Sequence, residues 1–280
     1  MSPYQARNAN LPVHHNLTLI YIFSLIIAIL MAAASVTGIL YSTVIYPTDD
    51  LLQSFLSNDI VNLLIGLPIL LGSMWLAWRG RLIGLLFWPG ALLFVLYTYI
   101  VYLVAMPLNA AFVLHLTLVT LSVYTLIGLI ACIDGKAVQQ RLTGSVPEKA
   151  SGGILAGLGL LFFLQVIGGI ISGLTSHTPI PETELALHIS DFLIIPAWII
   201  GGVLLWRHEE LGYVTGLGLL FQASMLFIGL IIFLMLQPFL TTAPFVLTDV
   251  LVIFILGLVC FIPFALFVRG VVSGHSSSAV

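Results

Sequence analysis

The chain has 280 residues, 60% of them hydrophobic and only 7% charged, with a formal net charge of −3. Soluble domains carry about a quarter charged residues, so this composition excludes a water-soluble globule, and the weakly acidic balance excludes a basic nucleic-acid-binding surface. The solvent that suits such a chain is lipid, and its first partner is the bilayer.

In chain order, residues 1–16 form a polar N-terminal segment. The apolar run that follows, near Leu17–Val44, is longer than the h-region of a cleaved signal and long enough to span. Seven more spans follow near Asp59–Trp78, Leu82–Leu103, Ala110–Ile133, Gly153–Leu174, Ala186–Trp206, Gly212–Leu236 and Phe245–Val268. Charged turns, Arg79-Gly80-Arg81 and Arg207-His208-Glu209-Glu210, and the breakers Pro107-Leu108-Asn109 and Gln237-Pro238 separate them. The acids Asp49, Asp50, Glu182 and Glu184 read as solvated residues of two long loops, Pro47–Ser57 and Thr178–Leu185. Pro89 and Pro196 inside spans predict kinks. The small-residue stripes Ala32, Ser35, Gly38 and Gly153, Gly157 predict close helix packing, and Gln165 and Gln222 predict helix–helix hydrogen bonds. Cys132 and Cys260 lie in apolar runs and read as core or lipid-facing thiols.

With eight spans, all eight Lys and Arg (Arg7, Arg79, Arg81, Lys136, Arg141, Lys149, Arg207 and Arg269) fall on the side of the N-terminus. The positive-inside rule makes that side cytoplasmic and places both termini on the cytoplasmic face of a plasma membrane. Trp78 and Trp206 then flank the inner arginines at the interface.

The chain also repeats itself after about 128 residues: Pro68 matches Pro196, Trp78-Arg79 matches Trp206-Arg207, Gly84 matches Gly212 and Gly90 matches Gly218. The expected organisation is an all-α integral membrane bundle of two parallel four-helix repeats, residues 17–134 and 153–270. A cytoplasmic linker, 135–152, joins them and a mobile tail, 271–280, follows. An even number of spans per unit inserts both copies the same way up.

The tract Leu96-Tyr97-Thr98-Tyr99-Ile100-Val101-Tyr102, with Leu108-Asn109-Ala110-Ala111-Phe112 and Leu121-Ser122-Val123-Tyr124, resembles a group of uncharacterised prokaryotic membrane proteins. The resemblance covers the third and fourth spans; it implies a prokaryotic membrane protein and carries over no activity and no functional residue.

Ionisable residues inside spans are costly and mark functional sites by default. Here they gather near the outer ends of the even-numbered spans: Asp59 and Asn62, His115, His188 and Asp191, and Asp249. Asp59/Asn62 and His188/Asp191 are i, i+3 pairs, each sharing a helix face. Three readings follow. The groups are hydrated caps at the headgroup level; or they line an outward-facing pocket for a cation, a proton or a polar solute, with Asp191 and Asp249 as its charges. The third reading is a metal site with His115, His188 and Asp191 as ligands, or a b-type haem held by the two histidines. No motif demands a cofactor: there is no phosphate loop, no Gly-x-Ser-x-Gly and no His-Glu-x-x-His. The function classes left open are binding or transport of a small solute or cation, a metal- or haem-dependent membrane enzyme, and a structural subunit of a membrane complex.

Overall fold

The computed structural model describes residues 11–108, 110–176, 180–240 and 244–274. Arg7, Asn109, Thr178, Thr242 and the tail after Gly274 lie outside the described residues. The helices are α1 Thr18–Leu40, the single turn α2 Ser42–Ile45, α3 Asp49–Trp78, α4 Leu82–Ala105 and α5 Ala110–Cys132. The short α6 Gly135–Leu142 leads to α7 Glu148–Ser176, α8 Glu182–Trp206, α9 Glu210–Leu240 and α10 Leu247–Gly274. Eight of these are long and apolar enough to cross a membrane, and they coincide with the eight expected spans. The chain is an all-α, polytopic membrane protein.

Several helices begin earlier than hydropathy implies, and the reason is capping. Asp49 and Asp50 are not loop acids: the Thr48 hydroxyl accepts the Leu51 N–H at 3.3 Å and both acids occupy the first turn of α3, where negative charge complements the helix dipole. Glu182 and Glu184 do the same for α8, behind Pro181. The linker 135–152 likewise holds α6, capped by Asp134 through the Ala137 N–H at 3.0 Å. It buries Val138 and Leu142 and turns Lys136 and Arg141 outward. At the C-terminal side, α9 runs through Pro238, and residues 271–274 of the expected tail are helical.

The turns after α3 and α8 match bond for bond, 128 residues apart. Arg79 N–H bonds Trp75 O, Gly80 N–H bonds Ala77 O and Arg81 N–H bonds Leu76 O. In the second turn Arg207 bonds Val203, His208 bonds Leu205 and Glu209 bonds Leu204. Gly80 and His208 both adopt positive φ, 75° and 60°, the left-handed residue that ends such helices. A Cβ on Gly84 would strike Leu76 and Ala77, and one on Gly212 would strike Leu204 and Leu205.

Helix α4 is the centre of the bundle. It is buried along almost its whole length and packs on α3, α5, α8 and α9, which is why it carries no charged residue. Pro89 removes one helical hydrogen bond, and the following Gly90 meets Gly218 of α9 so closely that a Cβ on either would run into the other's backbone. At the end opposite the arginine turns, the Thr183 hydroxyl donates to Asp50 at 2.7 Å, tying α8 to α3.

Candidate functional site

Because α3 starts at Asp49, Asp59 is not a terminal cap. It lies about 15 Å along the helix at 1.5 Å per residue and is fully buried. A carboxylate removed from water is costly unless hydrogen-bonded. Two phenols supply the bonds: Tyr46 donates to Oδ2 at 2.5 Å and Tyr102 of α4 donates to Oδ1 at 2.9 Å. The Ser35 hydroxyl of α1 is also within interaction distance. Tyr46 lies between α2 and α3, and burial together with the neighbouring carboxylate pushes its phenol above the usual tyrosine range, so it remains the donor. Gly38 makes the approach of α1 feasible: a Cβ there would overlap both the Asp59 carboxylate and the Tyr46 hydroxyl.

Asn62, one turn on, donates through Nδ2 to Ser35 Oγ at 3.3 Å, while its own Oδ1 is buried and finds no partner among the described residues. His115 of α5 is buried beside the same phenols, its ring centroid 5.2 Å from Tyr102 and 5.7 Å from Tyr99, and its Nδ1 also lacks a described partner. Asp59, Asn62 and His115 therefore belong to one cluster in the first half. Among the described residues no Lys, Arg or His pairs with Asp59.

The remaining candidates fall elsewhere. Asp191 is half-buried and accepts the Tyr97 hydroxyl of α4 at 3.0 Å. His188 faces Glu184 at 3.5 Å and presses its Nε2 against Gly169 of α7. Asp249 is exposed in the first turn of α10 and does not turn inward with the others. The first-turn position suits it: at a helix N-terminus an acid is stabilised by the free N–H groups. His115 packs on the α4 tyrosines while His188 and Asp191 lie on α8, so the three expected metal ligands are not brought together. Among the described residues no group of three or more His, Cys, Asp or Glu side chains could hold a metal ion.

Between the halves, around Tyr97, lies a cavity of about 270 Å³. Ser54, Ser57 and Asn58 of α3 and Tyr97 and Thr98 of α4 form a polar arc; Phe94, Met225 and Phe233 are among its apolar walls. A second cavity of about 240 Å³, beside the Gly90–Gly218 crossing, is lined by apolar residues such as Leu93, Leu126 and Ile200.

Sequence reading missed the donors. Tyr46 has no signal, being one aromatic in a connecting stretch. Tyr99 and Tyr102 had one: two phenols at i, i+3 in a span without charges must find partners in lipid. Ser35 and Gly38 were read as packing residues, and Gly38 does allow close packing, against a carboxylate. Gly153 and Gly157 face open space; Gly152, Gly159 and Gly202 are among the tight positions of α7 and α8. Gln222 accepts the Trp198 indole as expected, whereas Gln165 is exposed. No protein-family model, curated protein or solved structure matches the chain.

Proposed function

We propose that the protein binds, and passes across the membrane, a small amphipathic solute or cation, held in the cavity between its two halves. The observation that carries this reading is the cavity itself: about 270 Å³, lined by hydroxyl and amide groups together with aromatic and thioether side chains. Small-molecule sites have this composition and occur between helices of bundles. The cavity's Tyr97 is bonded to Asp191, and all described Lys and Arg lie at or beyond the opposite helix ends. The field there is negative, which favours a cation, and the rings Phe94, Tyr97 and Phe233 suit an alkylammonium group.

In this reading the basic end is cytoplasmic, so the cavity faces outward, and the halves are two parallel copies of one unit. The matched turns and the Gly90–Gly218 crossing support the duplication, since equivalent residues on a two-fold axis meet each other. The test is binding of radiolabelled tetramethylammonium to the purified protein in nanodiscs, with neopentane-like neutral isosteres as competitors. Saturable binding weakened at least tenfold by Asp191→Asn supports the reading. Failure of the cation to bind above the level of an unrelated membrane protein sinks it. Orientation is checked separately by reporter fusions after Pro47, Leu108 and Thr183, which should report the outside; a cytoplasmic signal at any of them breaks it.

A further inference from the structure

Asp59 stands one helix face away from that cavity. The outer stretch of α3 carries Ser54, Ser57, Asn58 and Val61 to the cavity wall and Asp59 to the phenol cluster behind. Immediately after this stretch, residues Asn62–Gly66 form a π-helical turn, in which the Leu67 N–H reaches Asn62 O, followed by Pro68. Pro68 has no N–H and its ring would collide with the carbonyl four residues back in a regular helix; the wide turn relieves that collision and uncouples the two parts of α3.

We propose that Asp59 is a proton-binding site whose occupancy repositions the outer stretch of α3 and so reshapes the cavity; this rests on reading the cavity as a ligand site. The shape of the carboxylate's surroundings selects a proton over a metal ion. Both oxygens already receive phenol hydroxyls, and on the Gly38 side there is no room for a methyl group, whereas a hard cation wants six or more oxygens around it. A proton needs no added space. The titratable groups facing Asp59 are Tyr46 from the chain before α3, Tyr99 and Tyr102 from α4 and, behind Tyr102, His115 from α5; α1 presents only Ser35 and Gly38.

The hydrogen bonds have a second arrangement at hand. The Tyr102 hydroxyl lies 2.9 Å from Asp59 Oδ1 and 3.1 Å from the Phe55 carbonyl. When the carboxylate is charged, Tyr102 donates to it. When a proton from the outer aqueous phase binds Oδ1, the acid becomes a donor itself and Tyr102 turns its hydrogen to Phe55, on the same stretch of α3. The protonated carboxyl then donates to the Tyr102 oxygen, so both groups stay hydrogen-bonded in either charge state. No bond other than O–H forms, and only the charge of Asp59 changes. Tyr46, buried and bonded to this carboxylate, immediately precedes the exposed Pro47–Asp50 stretch.

The experiment has two readouts on the full chain in nanodiscs. Infrared difference spectra between alkaline and acidic buffer should show a protonated-carboxyl band that shifts in deuterium oxide and is absent from Asp59→Asn. In a chain with Cys132→Ser and Cys260→Ala, maleimide labelling of Ser54→Cys should change several-fold over the same pH range, after correction by an exposed control at Asp50→Cys, and become flat in Asp59→Asn. Should Asp59→Asn fail to fold, Tyr102→Phe keeps the ring and should displace the midpoint of both signals. A band that persists in Asp59→Asn, a labelling profile independent of pH in the parent chain, or midpoints unmoved by Tyr102→Phe overturns the proposal. The band does not depend on any cavity ligand, so loss of tetramethylammonium binding with the band intact removes the ligand reading alone.

Discussion

The first two helices of each half are joined by different means. In the second half α7 and α8 approach through glycine: a Cβ on Gly152 would strike Gly202 O and Trp206 N, and one on Gly202 would strike Gly152 O and Ala156 N. In the first half the corresponding helices, α1 and α3, meet through polar side chains, with Ser35 against Asn62 and Gly38 against Asp59. Both are recognised ways to hold helices together where lipid offers no hydrophobic drive. Glycine packing needs only van der Waals contact and carries no charge. A buried hydrogen-bonded acid can exist in two charge states, and its surroundings must accommodate both. The comparison teaches that the half with the weaker steric lock is the half with the ionisable core.

The sharpest way to break this comparison is at the point the halves share. Gly90→Leu would drive a side chain into the α9 backbone at Gly218, and the expected loss is on the order of 3 kcal/mol or more, read as collapse of the folded peak in fluorescence-detected size exclusion. Survival of that peak at the parent melting temperature would mean the crossing is looser than described.

Next come the locks themselves. Gly38→Ala and Gly202→Ala should each destabilise by about 1–3 kcal/mol. Gly38→Ala alone should be relieved by Asp59→Ala, since the obstacle there is a side chain, whereas Gly202 faces backbone. A thermal-melt double-mutant cycle with no coupling between positions 38 and 59 would contradict the geometry.

A smaller effect is expected from the tryptophans that stitch each half internally. Trp198→Phe strands Gln222 Oε1 in the core, and Trp88→Phe frees Ser24 Oγ, which can turn to its own helix backbone. The first should cost about 1–3 kcal/mol and more than the second, by the same melts; the reverse order would show that the Gln222 bond contributes little. Least of all, exposed Asp249→Asn should leave melting and tetramethylammonium binding unchanged, and a marked loss of binding would return Asp249 to the site.

What the sequence made legible follows the same division. Spans and turns were readable because lipid imposes long apolar runs and because Arg79-Gly80-Arg81 and Arg207-His208 punctuate them. The starts of α3 and α8 were hidden, since Asp49, Asp50, Glu182 and Glu184 look like loop by polarity yet are what a helix dipole prefers. That error of one helical stretch made Asp59 look like a cap. Its polarity was visible; its burial was not, because burial depends on Tyr46 and Gly38 arriving from elsewhere in the chain. The one-residue excess of the π turn was equally invisible, as was the burial of His115 against Tyr99 and Tyr102, which only helix packing decides.

At the Gly90–Gly218 crossing neither helix offers a side chain to interdigitate. Knobs and holes act as gear teeth: they fix the angle between two rods as well as their distance. Two bare backbones in contact fix the distance and leave the angle to whatever lies above and below. Beside this contact Phe87 and Phe94 of α4 meet Phe221 of α9, so the crossing is a fulcrum that is stiff to compression and whose swivel those rings govern. It lies between the cavity at one end and the paired arginine turns at the other, so a small opening at one end is geometrically a small closing at the other.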